Sequence, residues 1–273
     1  MSYPDFSVLL SVYWKENPDC LRLALKSIWD DQTVKPSEIV LVKDGALTPE
    51  LDLIISDFQQ KAPIMVVALK QNQGLGCALN EGLKHCSCEW VARMDSDDIA
   101  KPGRFESQIG FMTEHPDISV CSSWIDEFID NPGNTVFQRR LPETAVELCR
   151  FGRRRNPINH PVVMFRKSAV LAAGGYEHFP LFEDYWLWVR MIVAGCKMYN
   201  IQQSLLWFRI SPDVYRRRGG WRYAMTEIRF QYRLWRLGYI SILQLMTNCI
   251  SRFCIRVLPN EMRRRFYGKM VRN

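Results

Sequence analysis

Trp90-Val91-Ala92-Arg93-Met94-Asp95-Ser96-Asp97-Asp98 is the stretch on which the fold turns: a mostly apolar, strand-like run that ends in three carboxylates within four positions. Side chains two apart in extended chain point the same way, so Asp95 and Asp97 face one site. An oxygen-only cluster of this kind suits a hard divalent cation, Mn2+ or Mg2+, which completes its shell with phosphate oxygens and water. A diphosphate held by such a cation becomes a good leaving group. Turn capping accounts for a lone Asp97 or Asp98, but not for the cluster.

Upstream the same pattern repeats. Phe6 to Ser11 predicts a buried strand, and Asn17-Pro18 supplies a cap and first-turn proline for a helix with Leu21, Ala24, Leu25 and Ile28 on one face. Ile39 to Val42 predicts a second strand, and Thr48-Pro49 opens a helix burying Leu51, Ile54, Ile55 and Phe58. Ile64 to Leu69 predicts a third, followed by a helix from Leu75 to His85 with Leu75, Ala78, Leu79 and Leu83 inward. Consecutive strand-helix units of this kind predict an α/β fold with a mostly parallel sheet. Ligands bind such sheets at the carboxyl ends of the strands. In this chain those ends carry Val12-Tyr13, Lys43-Asp44-Gly45, Gln71-Asn72-Gln73-Gly74 and Asp95-Ser96-Asp97-Asp98.

Downstream the pattern is less regular. Ser119 to Ile125 and Val162 to Phe165 predict strands, and Glu183 to Ala194 a helix stopped by Gly195. Acids at a helix start are favoured by the macrodipole whatever the function, so Glu183-Asp184 by itself marks only a helix.

The 273 residues, with nearly half of them hydrophobic, suffice for a full-sized core. Nine scattered cysteines without paired C-x-x-C spacing point to reduced structural thiols rather than zinc. No basic segment followed by an apolar run opens the chain, so no secretory signal is expected and a cytoplasmic location is. The net charge of +7 is uneven: from Trp207 onward there are 15 Lys and Arg against three Asp and Glu, which leaves the preceding part net acidic. Tyr239 to Leu258 is apolar, but Gln244, Asn248, Arg252 and Arg256 interrupt it at four-residue spacing, which predicts an amphipathic helix and not a spanning one. Arginines among apolar and aromatic residues there fit an element lying on an anionic membrane. The expected division is a catalytic domain over 1–215 and a basic helical extension over 216–273.

Ser7-Val8-Leu9-Leu10-Ser11-Val12-Tyr13, Val42-Lys43-Asp44-Gly45, Asn72-Gln73-Gly74 and Asp95-Ser96-Asp97-Asp98, in this order, resemble a family 2 glycosyltransferase of the GT-A fold, of the bacterial exopolysaccharide (amylovoran) type. The likeness continues through Asn159-His160-Pro161, Gly174-Gly175-Tyr176 and Phe182-Glu183-Asp184-Tyr185-Trp186, to about residue 215. It implies a Rossmann-like, mostly parallel mixed sheet flanked by helices. It also implies transfer of a sugar, with inversion, from a nucleotide donor to a glycan acceptor, with UDP as the default nucleotide and a lipid-linked polysaccharide precursor as acceptor. By the same likeness Val12, Tyr13, Asp44, Asn72, Gly74 and Asp95 contact the nucleotide. Asp97 with Asp95 holds Mn2+ or Mg2+, and Asp184 is the general base, tuned by Glu183. His160 and Trp186 are candidates for the acceptor side. Arg217 and Arg218, beside Gly219-Gly220, are candidates for gripping the diphosphate.

One position departs from the family pattern. Lys43 stands where two consecutive acids are common, so one nucleoside contact is lost or replaced. The Gln-x-x-Arg-Trp motif of processive synthases is also absent, which favours one sugar per binding event. Other functions fit less of the chain. Nucleic-acid binding explains the basic tail but not the acids. A dinucleotide oxidoreductase lacks its Gly-x-Gly-x-x-Gly. A nucleotidyltransferase or a glycoside hydrolase also uses carboxylates, and fold alone does not separate them.

Overall fold

The computed structural model describes residues 3–210 and 220–257. Three strand-helix units and a fourth strand open the chain: β1 (Phe6–Val12), α1 (Pro18–Ile28), β2 (Glu38–Lys43), α2 (Pro49–Gln59), β3 (Ile64–Ala68), α3 (Leu75–His85) and β4 (Trp90–Asp95). Their boundaries follow the sequence signals. Asn17 accepts the backbone N–H groups of Asp19 and Cys20 at the start of α1, and Thr48 caps α2 through Leu51 N–H. The faces expected for α1 and α2 are buried. In α3, Ala78, Leu79 and Leu83 are buried but Leu75 is 42% exposed. Leu75 borders the site below instead of filling the core.

The second half supplies β5 (Ile99–Ala100), α4 (Arg104–Glu114), β6 (Ile118–Phe128), β7 (Phe137–Arg139), α5 (Ala145–Phe151), β8 (Met164–Arg166), α6 (Lys167–Ala172), α7 (Glu183–Val193) and β9 (Lys197–Arg209). A 3-10 turn over His160–Val162 takes the first part of the predicted Val162–Phe165 strand. The helix α4 has no clean apolar period because Arg104 and Gln108 are on its buried face, and β9 loses its alternation at register shifts beside Ser204.

One nine-stranded sheet runs β3-β2-β1-β4-β8-β6-β9-β5, with β7 beside β6. The first four strands are mutually parallel, β8 runs antiparallel between β4 and β6, and β6 and β9 are parallel. Apolar clusters lie on both faces of the sheet, under α1, α2 and α4 on one side and α3 and α7 on the other. The short β5 pairs Ile99 with Trp207 and Ala100 with Leu206. This pairing swings the Asp95–Asp98 loop from the end of β4 across to the end of β9.

Beyond residue 219 come α8 (Trp221–Arg236) and α9 (Ile242–Val257). Phe230 of α8 lies among Phe179, Phe182, Tyr185 and Trp186, with ring centroids 4.7 to 6.4 Å apart. The extension thus shares a core with α7. Of the polar residues expected to stripe the last helix, Asn248 is buried against α8 and Arg252 pairs with Glu227 of α8, so these two turn inward. Among the described residues no helix is long and apolar enough to cross a membrane.

Candidate active site

The acids after β4 form a compact cluster. Carboxylate oxygens of Asp95, Asp97 and Asp98 lie within 4.8 Å of one another. Asp98 is fully buried; its Oδ1 accepts the backbone N–H of Arg209 at 2.8 Å, while Oδ2 has no partner. Arg209 also donates from Nε to the Asp97 carbonyl at 3.0 Å. Asp95 is gripped at both oxygens by the buried Arg93, with Nη1 to Oδ2 at 2.6 Å and Nη2 to Oδ1.

A second buried arginine lies beneath. Arg104 of α4 donates to the Arg93 carbonyl at 2.5 Å and to Gln108 Oε1 at 3.0 Å. Burial, and then the charge of Arg93, push Arg104 down to about 9. Ser96 adds a hydrogen bond to Glu16, a residue that carries no motif and was not expected here.

Two arginines do not satisfy so many acids. Burial, followed by the charges of Asp95 and Glu16, pushes the Asp97 carboxyl up to about 7. Burial, then Asp97 and Asp95, raises Asp98 well above the usual carboxylate range. Crowded carboxylates, raised carboxyls and an orphaned buried oxygen are what a hard divalent cation relieves, so the residues fit such an ion. Among the described residues no lysine or arginine forms an ion pair with Asp97, so it retains the most capacity for a cation, whereas both oxygens of Asp95 are engaged by Arg93.

The nucleotide-side residues meet at the ends of β1 and β2. Asp44 N–H bonds the Val12 carbonyl at 2.8 Å. The buried Asp44 carboxylate accepts the N–H groups of Gln73 at 2.7 Å and Gly74 at 3.0 Å, and Asn72 Nδ2 reaches the Asp44 carbonyl at 3.2 Å. Gly45 sits at φ 88°, and a Cβ there would lie 2.8 Å from Asn72 N. Asp44 thus clasps the 72–74 loop, and each of its oxygens already holds a backbone N–H. Tyr13 is 41% exposed beside the buried Val12. Lys43, at the position that departs from the family pattern, pairs with Asp52 of α2 at 2.6 Å.

The second-half residues close the other side. Leu181 adopts a left-handed φ of 73° just before α7, a conformation costing a side chain roughly 1–2 kcal/mol. It delivers Glu183 and Asp184 to a cavity of about 40 Å³, shared with Leu75, Gly76, Leu79, His160 and Tyr176. Asn156 donates from Nδ2 to Asp184 Oδ2 at 2.7 Å. Burial raises the carboxyls of Asp184 and Glu183; at Asp184 the raising is partly offset by hydrogen bonds and by Arg93 and Arg139. His160, bonded to Tyr176 Oη at 2.9 Å, is kept neutral by burial first and by Arg93 second.

Arg93 joins the two sides, since its charge acts on Asp184, His160 and Tyr176 as well as on Asp97 and Asp98. Tyr176 also feels both Asp95 and Asp184. The structure does not bring Trp186 to this cavity. Its indole packs on Phe230, donates to Glu177 at 2.8 Å and is capped by Arg190 and Arg233, because α7 turns this side toward α8. Arg217 and Arg218 lie outside the described residues. Arg93 and Tyr176 stand in stretches singled out above, but no local pattern marks Glu16, Arg104 or Asn156.

Comparison with known proteins finds glycosyltransferases. The chain is 40% identical over 269 residues to an Escherichia coli protein named UDP-Gal:alpha-D-GlcNAc-diphosphoundecaprenol beta-1,3-galactosyltransferase, covering 98% of this chain and 97% of that one. It is 40% identical over 229 residues to the amylovoran biosynthesis glycosyltransferase AmsE of Erwinia amylovora, covering 84% and 85%. TarS of S. aureus, solved in complex with UDP-GlcNAc, superposes with a TM-score of 0.67 at 17% identity, over 98% of this chain and 76% of that one. A mannosyltransferase from Pyrobaculum calidifontis, solved with GDP-Man and Mn2+, gives 0.67 at 14% identity, over 96% and 72%. These two likenesses bear out the expected GT-A fold, and nothing in the comparisons favours a nucleic-acid-binding protein or a nucleotidyltransferase. Residues 7–171, which carry the clasped Asp44 loop and the acid cluster, match the profile of Glycosyl transferase family 2, and the chain belongs to that family.

Proposed function

We propose that this enzyme moves a hexose from a UDP-linked donor, with inversion, to a hydroxyl of a lipid-linked diphosphate saccharide. The observation that carries the proposal is the pair of acidic centres around Arg93, one suited to a diphosphate and its cation, the other to a proton. The E. coli relative's name supports the donor and acceptor classes.

In this reading Val12, Tyr13 and the clasped 72–74 loop receive the nucleoside, with Asp44 holding the loop and Asp95 facing the ribose. Asp97, helped by Asp95 and Asp98, would hold Mn2+ or Mg2+. Such an ion supplies charge neutralisation for the departing diphosphate. Asp184 takes the acceptor hydroxyl proton as that oxygen bonds to the anomeric carbon and the carbon–oxygen bond to the diphosphate breaks. A carboxyl raised by burial is a stronger base than a solvated one, and burial raises Asp184; the neighbouring Glu183 is raised by burial and then by the charge of Asp184. Attack from the face opposite the leaving group needs no protein nucleophile. His160, neutral and bonded to Tyr176, would line the acceptor side. We place the chain at a membrane surface on the cytoplasmic side, a location supported by the lipid-linked acceptor class and by free thiols at every described cysteine.

The test is a panel of nucleotide sugars assayed by thermal shift with and without Mn2+, followed by product analysis with a diphospholipid-linked saccharide. A metal-dependent shift with one UDP-sugar, lost in Asp97→Ala, is expected. Equal shifts without metal would remove Asp97 from its role, and hydrolysis or nucleotidyl products in place of a glycoside would remove the function.

A further inference from the structure

The helix α9 is amphipathic in the opposite sense to one that merely covers a core. Two of its polar residues, Asn248 and Arg252, point inward: Asn248 donates from Nδ2 to Gln231 Oε1 at 2.8 Å and to the Arg153 carbonyl at 2.9 Å. Arg252 pairs with the buried Glu227 of α8 and donates to the Arg154 carbonyl. Its apolar residues face out, with Ile242, Leu243, Met246 and Ile250 between 55% and 68% exposed. At about 100° per residue these four make one stripe on the helix.

The surface continues onto α8. Trp221, Tyr232 and Trp235 are exposed on one side of that helix, and Arg222, Arg229 and Arg236 are exposed on the adjoining side. The Trp221 ring touches Phe253 of α9, with centroids 5.6 Å apart, which joins the aromatic row to the second helix. Within α8 and α9 the only acidic residue is Glu227, and it is turned inward to Arg252.

Exposed apolar side chains gathered in this way mark a docking surface. Aliphatic residues beside Trp and Tyr, flanked by arginines, match a bilayer interface, where rings sit at headgroup depth and cations meet anionic lipids. A second copy of the chain fits poorly, because a two-fold interface would set this arginine row against itself with no acid of α8 or α9 turned toward it.

We propose that the outward face of α8 and α9 seats the enzyme on an anionic lipid surface. The inference deepens the lipid-linked acceptor reading by naming the face that meets the bilayer, but its test involves neither donor nor acceptor, so either idea can fail alone.

The full-length protein is floated with vesicles of phosphatidylcholine alone or of phosphatidylcholine mixed with phosphatidylglycerol. It is expected to partition onto the anionic vesicles only. Arg222→Gln/Arg229→Gln/Arg236→Gln should weaken partition roughly a hundredfold. Leu243→Ser/Met246→Ser/Ile250→Ser should weaken it at least about tenfold, with the parent's melting temperature kept in both variants. Wild-type protein that stays in solution with anionic vesicles overturns the proposal. Undiminished binding by the serine variant overturns it too, by moving the contact to another part of the chain. A dimer that the serine variant splits, without any effect on vesicle binding, assigns the face to a second copy instead.

Discussion

Arg93 closes a two-pronged ion pair on Asp95 from beneath the acid cluster, with the guanidinium 1% exposed and the carboxylate side chain 28% exposed. The arginine is thus the counter-charge on which three neighbouring acids depend. Breaking such a pair from the cationic side leaves an uncompensated carboxylate. Arg93→Met is expected to cost about 3 kcal/mol or more of stability, and Arg93→Lys about 1–2 kcal/mol, since an ammonium keeps the charge but not the fork. Urea unfolding of the two variants checks the order.

Asp97 sets a pH dependence. Its folded-state carboxyl lies at about 7, above the ordinary 3.8, so the metal-free protein is disfavoured by its ionisation as pH rises from about 4 to about 7. A cation that requires the ionised form should bind about tenfold more tightly per pH unit over the upper part of that range, and level off above pH ~7. Thermal shifts with Mn2+ at about pH 5.5 and about pH 7.5 measure this, and Asp97→Asn should abolish the difference.

Asp184→Asn removes a proton acceptor and no phosphate contact. Transfer should fall by about 10² to 10⁴ while the donor-induced thermal shift stays. Turnover near that of the parent would eliminate Asp184 as base. In Asn156→Ala the carboxylate loses a donor that favours its ionised form, so the acidic limb of the rate profile should move to higher pH.

Gly45→Ala meets a left-handed φ of 88° and a backbone nitrogen 2.8 Å away. The clasp between Asp44 and the 72–74 loop must shift to admit it, at a cost of about 1–3 kcal/mol. Most of that should appear as a raised KM for the donor, with kcat changed less, in steady-state kinetics.

Phe230→Ala empties the middle of the cluster shared by α7 and α8. A loss of about 3–5 kcal/mol is expected in a denaturant melt. If the extension helps to hold the start of α7, kcat falls more than donor affinity. An unchanged kcat in the folded variant would make the extension separable from catalysis, in line with a boundary near residue 215.

Amino-acid order alone specifies the first half of the sheet, because each of its elements is written locally: Asn17 and Thr48 as caps, and Leu21, Leu25, Ile54 and Phe58 at helical spacing over strands of continuous Val, Ile and Leu. It also determined the acid cluster, since Asp95, Asp97 and Asp98 are neighbours along the chain. Tertiary structure alone decided which of these acids are free and what surrounds them. Arg104 is 11 residues from the Arg93 carbonyl it holds, Asp98 is 111 from Arg209, and Asn156 is 28 from Asp184. Local periodicity carries no record of such pairings, and polar residues on the inner face of α4 obscure even the helix that bears one of them. The orientation of α9 was hidden for the same reason. A polar stripe and an apolar stripe alternate identically whichever faces water, and only the partners Gln231, Glu227 and the carbonyls of Arg153 and Arg154 decide that the polar one turns in.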